Sequence, residues 1–318
     1  MKSLFKITAF VFIALILGCN SKTNSDSGGE LKGRISISGA FALYPMAQKW
    51  GEEFMKLHPG VRIDISAGGA GKGMMDVLSG MVDLGMVSRE VKPEEIKKGA
   101  WFVSVTKDAV LPVINSSNPY IKEVSTKGMT NEQFRKIFLT DKAITWGEIL
   151  GNNSKNKISR YTRSDFCGAS EMWAKYLGKK QEDLQGTGVF GDPGIAEAVR
   201  NDKLGIGYNN VIYAYDLKTR KVNPGMAVIP IDINGNGRLD KEEMFYNQLD
   251  SLMNAVKNGI YPSPPARELY LVSKGKPANR IVTEFLKFIL NEGQAYVKEG
   301  GYVNLSEKRI QEELSKIN

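Results

Sequence analysis

Apolar and polar residues alternate over residues 34–38, Arg-Ile-Ser-Ile-Ser, which predicts a strand with one buried face. From Pro45 the apolar positions Ala47, Trp50, Phe54 and Leu57 recur at helical spacing, and Pro59-Gly60 breaks that helix. Residues 61–66 alternate again, Met74, Val77, Leu78 and Met81 mark a second helix, and residues 84–87 read as a third strand. Strand, helix, strand, helix, strand with glycine-rich connections predicts a mostly parallel sheet with helices on its faces. Residues 110–114 predict another buried strand. Beyond them the periodicity predicts helices over 131–138, 170–177, 195–200 and 248–257, with strands over 158–161 and 226–231. After Tyr261-Pro-Ser-Pro-Pro265 an apolar strand is expected over 269–272, then a strongly periodic helix through Ile281, Phe285, Phe288 and Ile289. No internal repeat of fixed period is present.

The N-terminal pattern differs in kind. Lys2 and Lys6 precede an apolar run over 7–18, too short to span a bilayer but right for a secretory signal. It ends at Ile16-Leu17-Gly18-Cys19, which resembles a bacterial lipobox, with Cys19 lipidated after removal of residues 1–18. A buried hydrophobic helix is the other reading, and the Asn/Ser/Lys/Gly stretch that follows at once argues against it by reading as a flexible tether over 19–30. With Cys19 so used, Cys167 has no intramolecular partner, so burial alone must stabilise the body. The 318 residues suffice for two lobes, and the net charge of +8 is spread without any dense Lys/Arg run, which gives no footing for nucleic acid. A single histidine, His58, excludes two-histidine metal sites and multi-histidine hydrolytic chemistry.

Candidate chemistry lies in the loops. Ser38-Gly39-Ala40-Phe41-Ala42 and Gly68-Gly69-Ala70-Gly71-Lys72-Gly73 each join a predicted strand to a predicted helix, where free N–H groups and the helix dipole favour anions. Plain tight turns are the alternative. The second run is not a nucleotide P-loop, because Ser66 and Gly73 occupy the positions of its first Gly and its Ser/Thr. A third segment, Arg163-Ser-Asp-Phe-Cys-Gly-Ala-Ser170, sets a guanidinium fork before a helix N-terminus, with Asp165 placed to hold it. A surface ion pair is the bland alternative.

The succession Ser38-Gly39-Ala40, Trp50, the 68–73 loop, Val82-Asp83-Leu84-Gly85, Ser88-Arg89, Trp146-Gly147, Arg163-x-Asp165, Cys167-Gly168 and Gly205-Ile206-Gly207-Tyr208 resembles the phosphate-binding proteins of bacterial ABC importers. The likeness runs from about Gly33 to the end of the chain. It implies an α/β two-lobed periplasmic-binding-protein clamp, each lobe a mostly parallel sheet flanked by helices, with two chain crossings near Pro112 and Pro262/Pro264/Pro265. Lobe I would be 31–109 plus 266–318, and lobe II 110–265. It also implies a lipid-anchored, non-enzymatic receptor at the cell envelope that hands phosphate to importer membrane subunits.

Mapped residue by residue, the resemblance implies anion contacts from Ala40, Phe41 and Ala42, from Ala70, from Ser88 and Arg89, from Arg163, and from Cys167, Gly168 and Ala169, with Asp165 behind Arg163. Where the family carries hydroxyls this chain has Ala40, Ala70, Cys167 and Ala169. Where the family carries an aspartate that accepts the ligand's proton, Arg89 stands close by. Loss of that acceptor opens the site to sulfate-, molybdate- or tungstate-like anions. Arg89 has a second reading, pairing with Glu90, Glu94 or Glu95, and Cys167 has two, a small filler or a reactive thiol at a helix N-terminus.

Residues 232–243 fit the twelve-residue calcium loop D-x-[DN]-x-[DN]-G-x₅-E, with oxygens expected from Asp232, Asn234, Asn236, the Arg238 carbonyl, Asp240 and Glu243. A strand rather than a helix precedes it, so a structural Ca²⁺ is expected; a metal-free polar turn is the alternative. Two other classes of function stay open: a secreted phosphate-ester hydrolase, and an adhesion module presenting Tyr208, Tyr213 and Tyr215.

Overall fold

The computed structural model describes residues 30–318; the expected signal, Cys19 and the tether as far as residue 29 lie outside the described residues. The first part of the chain forms β1 (Gly33–Gly39), α1 (Tyr44–Leu57), β2 (Val61–Ala67), α2 (Ala70–Leu78), β3 (Leu84–Val87), α3 (Pro93–Lys97) and the long β4 (Ala100–Asn115). There follow α4 (Ile121–Lys127), α5 (Asn131–Leu139), α6 (Trp146–Leu150), β5 (Ser159–Arg163), α7 (Gly168–Tyr176), β6 (Thr187–Val189) and α8 (Gly191–Asn201). β7 (Gly205–Asn210), α9 (Val211–Ala214), β8 (Met226–Val228), α10 (Leu249–Lys257), β9 (Ala266–Lys274), α11 (Arg280–Leu290) and α12 (Glu307–Ile317) complete it.

The strands run in the order β2-β1-β3-β9-β4-β7-β5-β6, with β8 also on β4. The wings are parallel: β1 with β2 and β3, and β5 with β6 and β7. The middle is antiparallel, because β4 and β9 carry the chain between the wings. β4 pairs with β9 from Ala100 to Ala109, then with β7 from Val110 to Ile114.

Two hydrophobic cores lie on either side of this middle. One holds Ile35, Trp50, Phe54, Leu84, Val103, Leu271 and Phe285; the other holds Val110, Phe134, Phe138, Trp173, Ile206 and Tyr208. In the first, the Trp50 indole donates to the Gly293 carbonyl at 2.8 Å, and Phe54 packs on Phe285 and Phe288 with ring centres 5.2 and 5.5 Å apart. In the second, Trp173 packs against Phe134 and Tyr208 at 5.1 and 5.8 Å. Such aromatic packing matches the helix periodicity of the sequence. The expected tyrosine surface is absent: Tyr208 and Tyr215 are buried, and Tyr213 lies on α9, with its hydroxyl donating to the Phe41 carbonyl at 3.2 Å. His58 caps the end of α1 and packs on Phe54.

Candidate functional site

The candidate loops sit at the carboxyl ends of β1, β2, β3 and β5, where the helices that follow parallel strands direct their N-termini. Gly39 takes φ 131° and Gly69 φ 89°, conformations that favour glycine. The Gly39 carbonyl accepts from the amides of both Gly68 and Gly69, at 2.8 and 3.1 Å, so the first two loops are bolted together. The Ala40 amide donates to the Met86 carbonyl at 2.9 Å. It is therefore spent on the sheet, which corrects the expectation that it contacts the anion. The Phe41, Ala42 and Ala70 amides donate to no group among the described residues. The Lys72 stem lies over Gly68 and its ammonium pairs with Asp76, which also accepts from the Ser38 hydroxyl at 2.6 Å. Burial pushes the Asp76 carboxyl up, but these two partners outweigh it and hold it below its ordinary range.

Arg163 ends β5, with its side chain 1% exposed. Nε and Nη2 bond the two oxygens of Asp165 at 2.8 and 2.6 Å, and Nη1 bonds Asp192 Oδ2 at 2.7 Å. A guanidinium has five N–H donors, so one hydrogen on each terminal nitrogen remains for a ligand. The Phe41 ring lies 5.5 Å from the guanidinium carbon. Burial alone would lower the Arg163 pKa; Asp192, Cys167 and Asp165 more than reverse this, so the group stays charged. The sequence reading placed Asp165 correctly beside Arg163 but missed Asp192. Asp192 lies in the first turn of α8 and accepts from Asn210 Nδ2 at 2.6 Å. Its only sequence signal was an acidic residue at a helix start, hidden by the turn-like Gly191-Asp-Pro-Gly194.

Cys167 caps α7: its sulfur accepts from the Ser170 amide at 3.5 Å. Its own amide donates to Gln181 at 3.2 Å, so the expected contact from Cys167 is not available. Burial pushes the thiol pKa up, against the reactive-thiol reading. The next two amides, of Gly168 and Ala169, have no partner among the described residues.

The pieces converge. The Gly71 amide donates to the Phe166 carbonyl at 3.2 Å, and Gly168 packs so closely on Ser88 that a Cβ there would collide with the Ser88 carbonyl. Arg89, expected at the anion, instead makes a two-pronged pair with Glu95 at 2.6 and 2.8 Å and reaches Glu171 of α7 at 3.2 Å. Its pairing reading is the one the structure follows, because Glu95 is buried beside it. Gly71, Arg89, Glu95, Phe166 and Glu171 line a cleft of about 450 Å³ together with Lys92 and Asp165; Arg163 and the free amides of Phe41, Ala42, Ala70, Gly168 and Ala169 lie outside its lining.

The 232–243 loop stands apart. Asp232 and Glu243 are buried, Asp232 accepts from the amides of Gly235, Asn236 and Gly237, and the side-chain amides of Asn234 and Asn236 donate to Asp240. No group of three or more His, Cys, Asp or Glu is gathered to hold a metal among the described residues. The donor set is nevertheless all oxygen, half of it Asn and main-chain carbonyl, the chemistry of a hard cation.

A pair of long antiparallel strands between two cores, with parallel strands and their helices on each wing, makes the two-lobed α/β clamp of a periplasmic binding protein. Residues 24–292 match the PBP superfamily domain, and the chain belongs to that superfamily. It is 25% identical over 300 residues to the phosphate-binding protein PstS of Staphylococcus epidermidis, covering 92% of this chain and 85% of that one. It is 23% identical over 310 residues to PstS of Staphylococcus aureus, covering 95% and 88%. Among solved structures, a phosphate ABC transporter substrate-binding protein from Clostridium perfringens, with bound phosphate, aligns at TM-score 0.69 and 23% identity, covering 86% of this chain and all of that one. An ABC-type phosphate transport receptor from Vibrio cholerae aligns at 0.62 and 17%, covering 85% of this chain and all of that one.

Proposed function

We propose that this chain is the substrate-binding component of an ABC importer and captures inorganic phosphate without a chemical step. The observation that carries the reading is the set of unspent N–H donors at Phe41, Ala42, Ala70, Gly168 and Ala169, at strand ends belonging to both cores, beside a buried, charged Arg163 that the Phe41 ring overlies. Such donors suit a small tetrahedral oxyanion. The PstS names of the relatives supply the phosphate and importer parts of the reading. Asp192 adds a reason of its own: a buried carboxylate beside the guanidinium tolerates an anion that brings a proton and repels one that does not, favouring phosphate over sulfate, molybdate or tungstate. The hydrolase reading has no support at the site, because the only histidine packs on Phe54 in the first core.

Titration calorimetry tests this. Wild-type protein should bind phosphate one to one in preference to sulfate and molybdate, and Arg163→Ala should lose at least ~100-fold in affinity, in line with about 3 kcal/mol for a charge-assisted fork. Equal binding by the variant, or preference for sulfate, would overturn the assignment.

Three further parts belong to the same proposal. Lobe I comprises 31–109 and 266–318 and lobe II 110–265, closing on the anion so that importer membrane subunits read the closed form. Cys19 carries the lipid that holds the receptor at the outer face of the membrane; a Cys19→Ser protein that still sediments with membranes would refute this. The 232–243 loop binds a structural Ca²⁺ through Asp232, Asn234, Asn236, the Arg238 carbonyl, Asp240 and Glu243.

A further inference from the structure

Behind the anion site, five buried side chains alternate in charge and hydrogen-bonding role from Arg163 to the strand crossing. Arg163 Nη1 bonds Asp192 Oδ2 at 2.7 Å, and Asp192 Oδ1 accepts from Asn210 Nδ2 at 2.6 Å. The Asn210 side-chain oxygen accepts from Arg267 Nη2. Arg267 in turn bonds Asp108 through Nε and Nη2, at 2.8 and 3.1 Å. Asp108 on β4 and Arg267 on β9 are register partners in the antiparallel pair that carries the chain between the two cores. Asn210, at the end of β7, faces Val110 of β4. None of the five is more than 7% exposed.

The chain has a defined polarity. Asn210 must present its N–H to the carboxylate of Asp192 and its oxygen to the guanidinium of Arg267; the reverse amide orientation would set like against like at both ends. Arg267 Nη1 is buried with no partner among the described residues. A guanidinium free to turn would satisfy that nitrogen, so its position is dictated by Asp108 and Asn210. A buried polar network of this kind holds its members in one arrangement.

Resting on the anion-receptor reading above, we infer that Asn210 and Arg267 are positioning residues for the anion. They fix Asp192, and through it the Arg163 fork, relative to the crossing strands about which the lobes turn. Movement of β4 against β9 is thereby felt at the guanidinium, and an anion on the guanidinium favours one setting of the crossing.

The test is phosphate calorimetry on wild type, Asn210→Leu and Arg267→Met, each also in an Arg163→Lys background. With Arg163 present, both substitutions should weaken binding tenfold or more. In the Arg163→Lys background, where no fork remains to be aimed, the further loss should fall below threefold. An equal fold loss in both backgrounds would mean a general structural role and would overturn the inference, as would wild-type affinity in the single variants. Should either variant fail to show a native melting transition, Asn210→Ser and Arg267→Lys replace them, with smaller losses and the same dependence on background. If wild-type protein itself does not bind phosphate, the receptor reading falls and takes this inference with it. Binding by wild type with background-independent losses sinks the inference alone.

Discussion

At the scale of single residues, the site is governed by how many N–H groups the fold has already used. Ala40 and Cys167 were reasonable candidates by position, yet each amide is committed, one to Met86 and one to Gln181. Their neighbours Phe41, Ala42, Gly168 and Ala169 keep theirs. Arg163 survives as a donor although three of its five hydrogens are taken, because the carboxylates that take them also keep it charged and oriented. Arg89 is the contrasting case. Burial acts to lower its pKa, Glu95 and Glu171 more than offset that, and the resulting pair occupies the fork that an anion would need. A buried carboxylate does stand against the Arg163 guanidinium, on α8 rather than after β3. No reading of local sequence could place Asp192 there, because it is 29 residues from Arg163 and meets it only when β5 and α8 pack.

At the scale of elements, the most exposed prediction concerns the 232–243 loop. A loop binding Ca²⁺ with Kd near ~10⁻⁴ M gains about 2.7 kcal/mol at a hundredfold excess of the ion. Melting in 10 mM Ca²⁺ should therefore exceed melting in chelator by roughly 4 °C, and Asp240→Ala should remove the difference. Coincident melting curves with and without chelator would show that the loop is a metal-free turn. Most elements were legible from periodicity: α1, α2, α10 and α11 follow their apolar stripes, and β1, β2 and β3 their alternation or apolar run. β4 was not read at full length. Its first nine residues include the buried Ser104, Thr106 and Asp108, polar residues that break the strand pattern. Two of them are satisfied only by distant partners: the Thr106 hydroxyl donates to the Val303 carbonyl at 2.9 Å, and Asp108 pairs with Arg267. Hydrophobic patterning cannot see polar groups that are buried because something far along the chain bonds them. The same blindness hid Asn210 and Arg267, whereas the Arg163-x-Asp165 spacing placed an ion pair within a single loop and could be read directly.

At the scale of the molecule, the proposed function turns on how the two halves meet. Each has its own core, and their facing segments meet through Gly71 to Phe166, Lys175 to Glu90 at 3.0 Å, and Lys92 and Arg89 to Glu171 at 3.4 and 3.2 Å, besides Tyr213 on the Phe41 carbonyl, the Phe41 ring on Phe190 and Arg163, and Arg220 on the Lys298 and Glu299 carbonyls. Of these, the exposed Lys175–Glu90 pair contributes only ~0–1 kcal/mol and weakens with salt, whereas Arg89 is buried in its pair with Glu171. The steric fit is more demanding. Gly168 opens α7 and lies against Ser88 with no space for a Cβ, since the Ser88 backbone is in the way and cannot rotate aside as a side chain would. Gly168→Ala should leave each core intact and melt within about 3 °C of wild type. It should hold the facing loops apart and thereby misplace the Gly168 and Ala169 amides relative to those of Phe41, Ala42 and Ala70. Phosphate affinity is expected to fall at least ~10-fold, about 1.4 kcal/mol, and small-angle scattering should show less compaction on adding phosphate than in wild type. A variant that binds and compacts like the parent would mean that closure does not bring Gly168 onto Ser88, and the clamp geometry derived from these contacts would have to be abandoned.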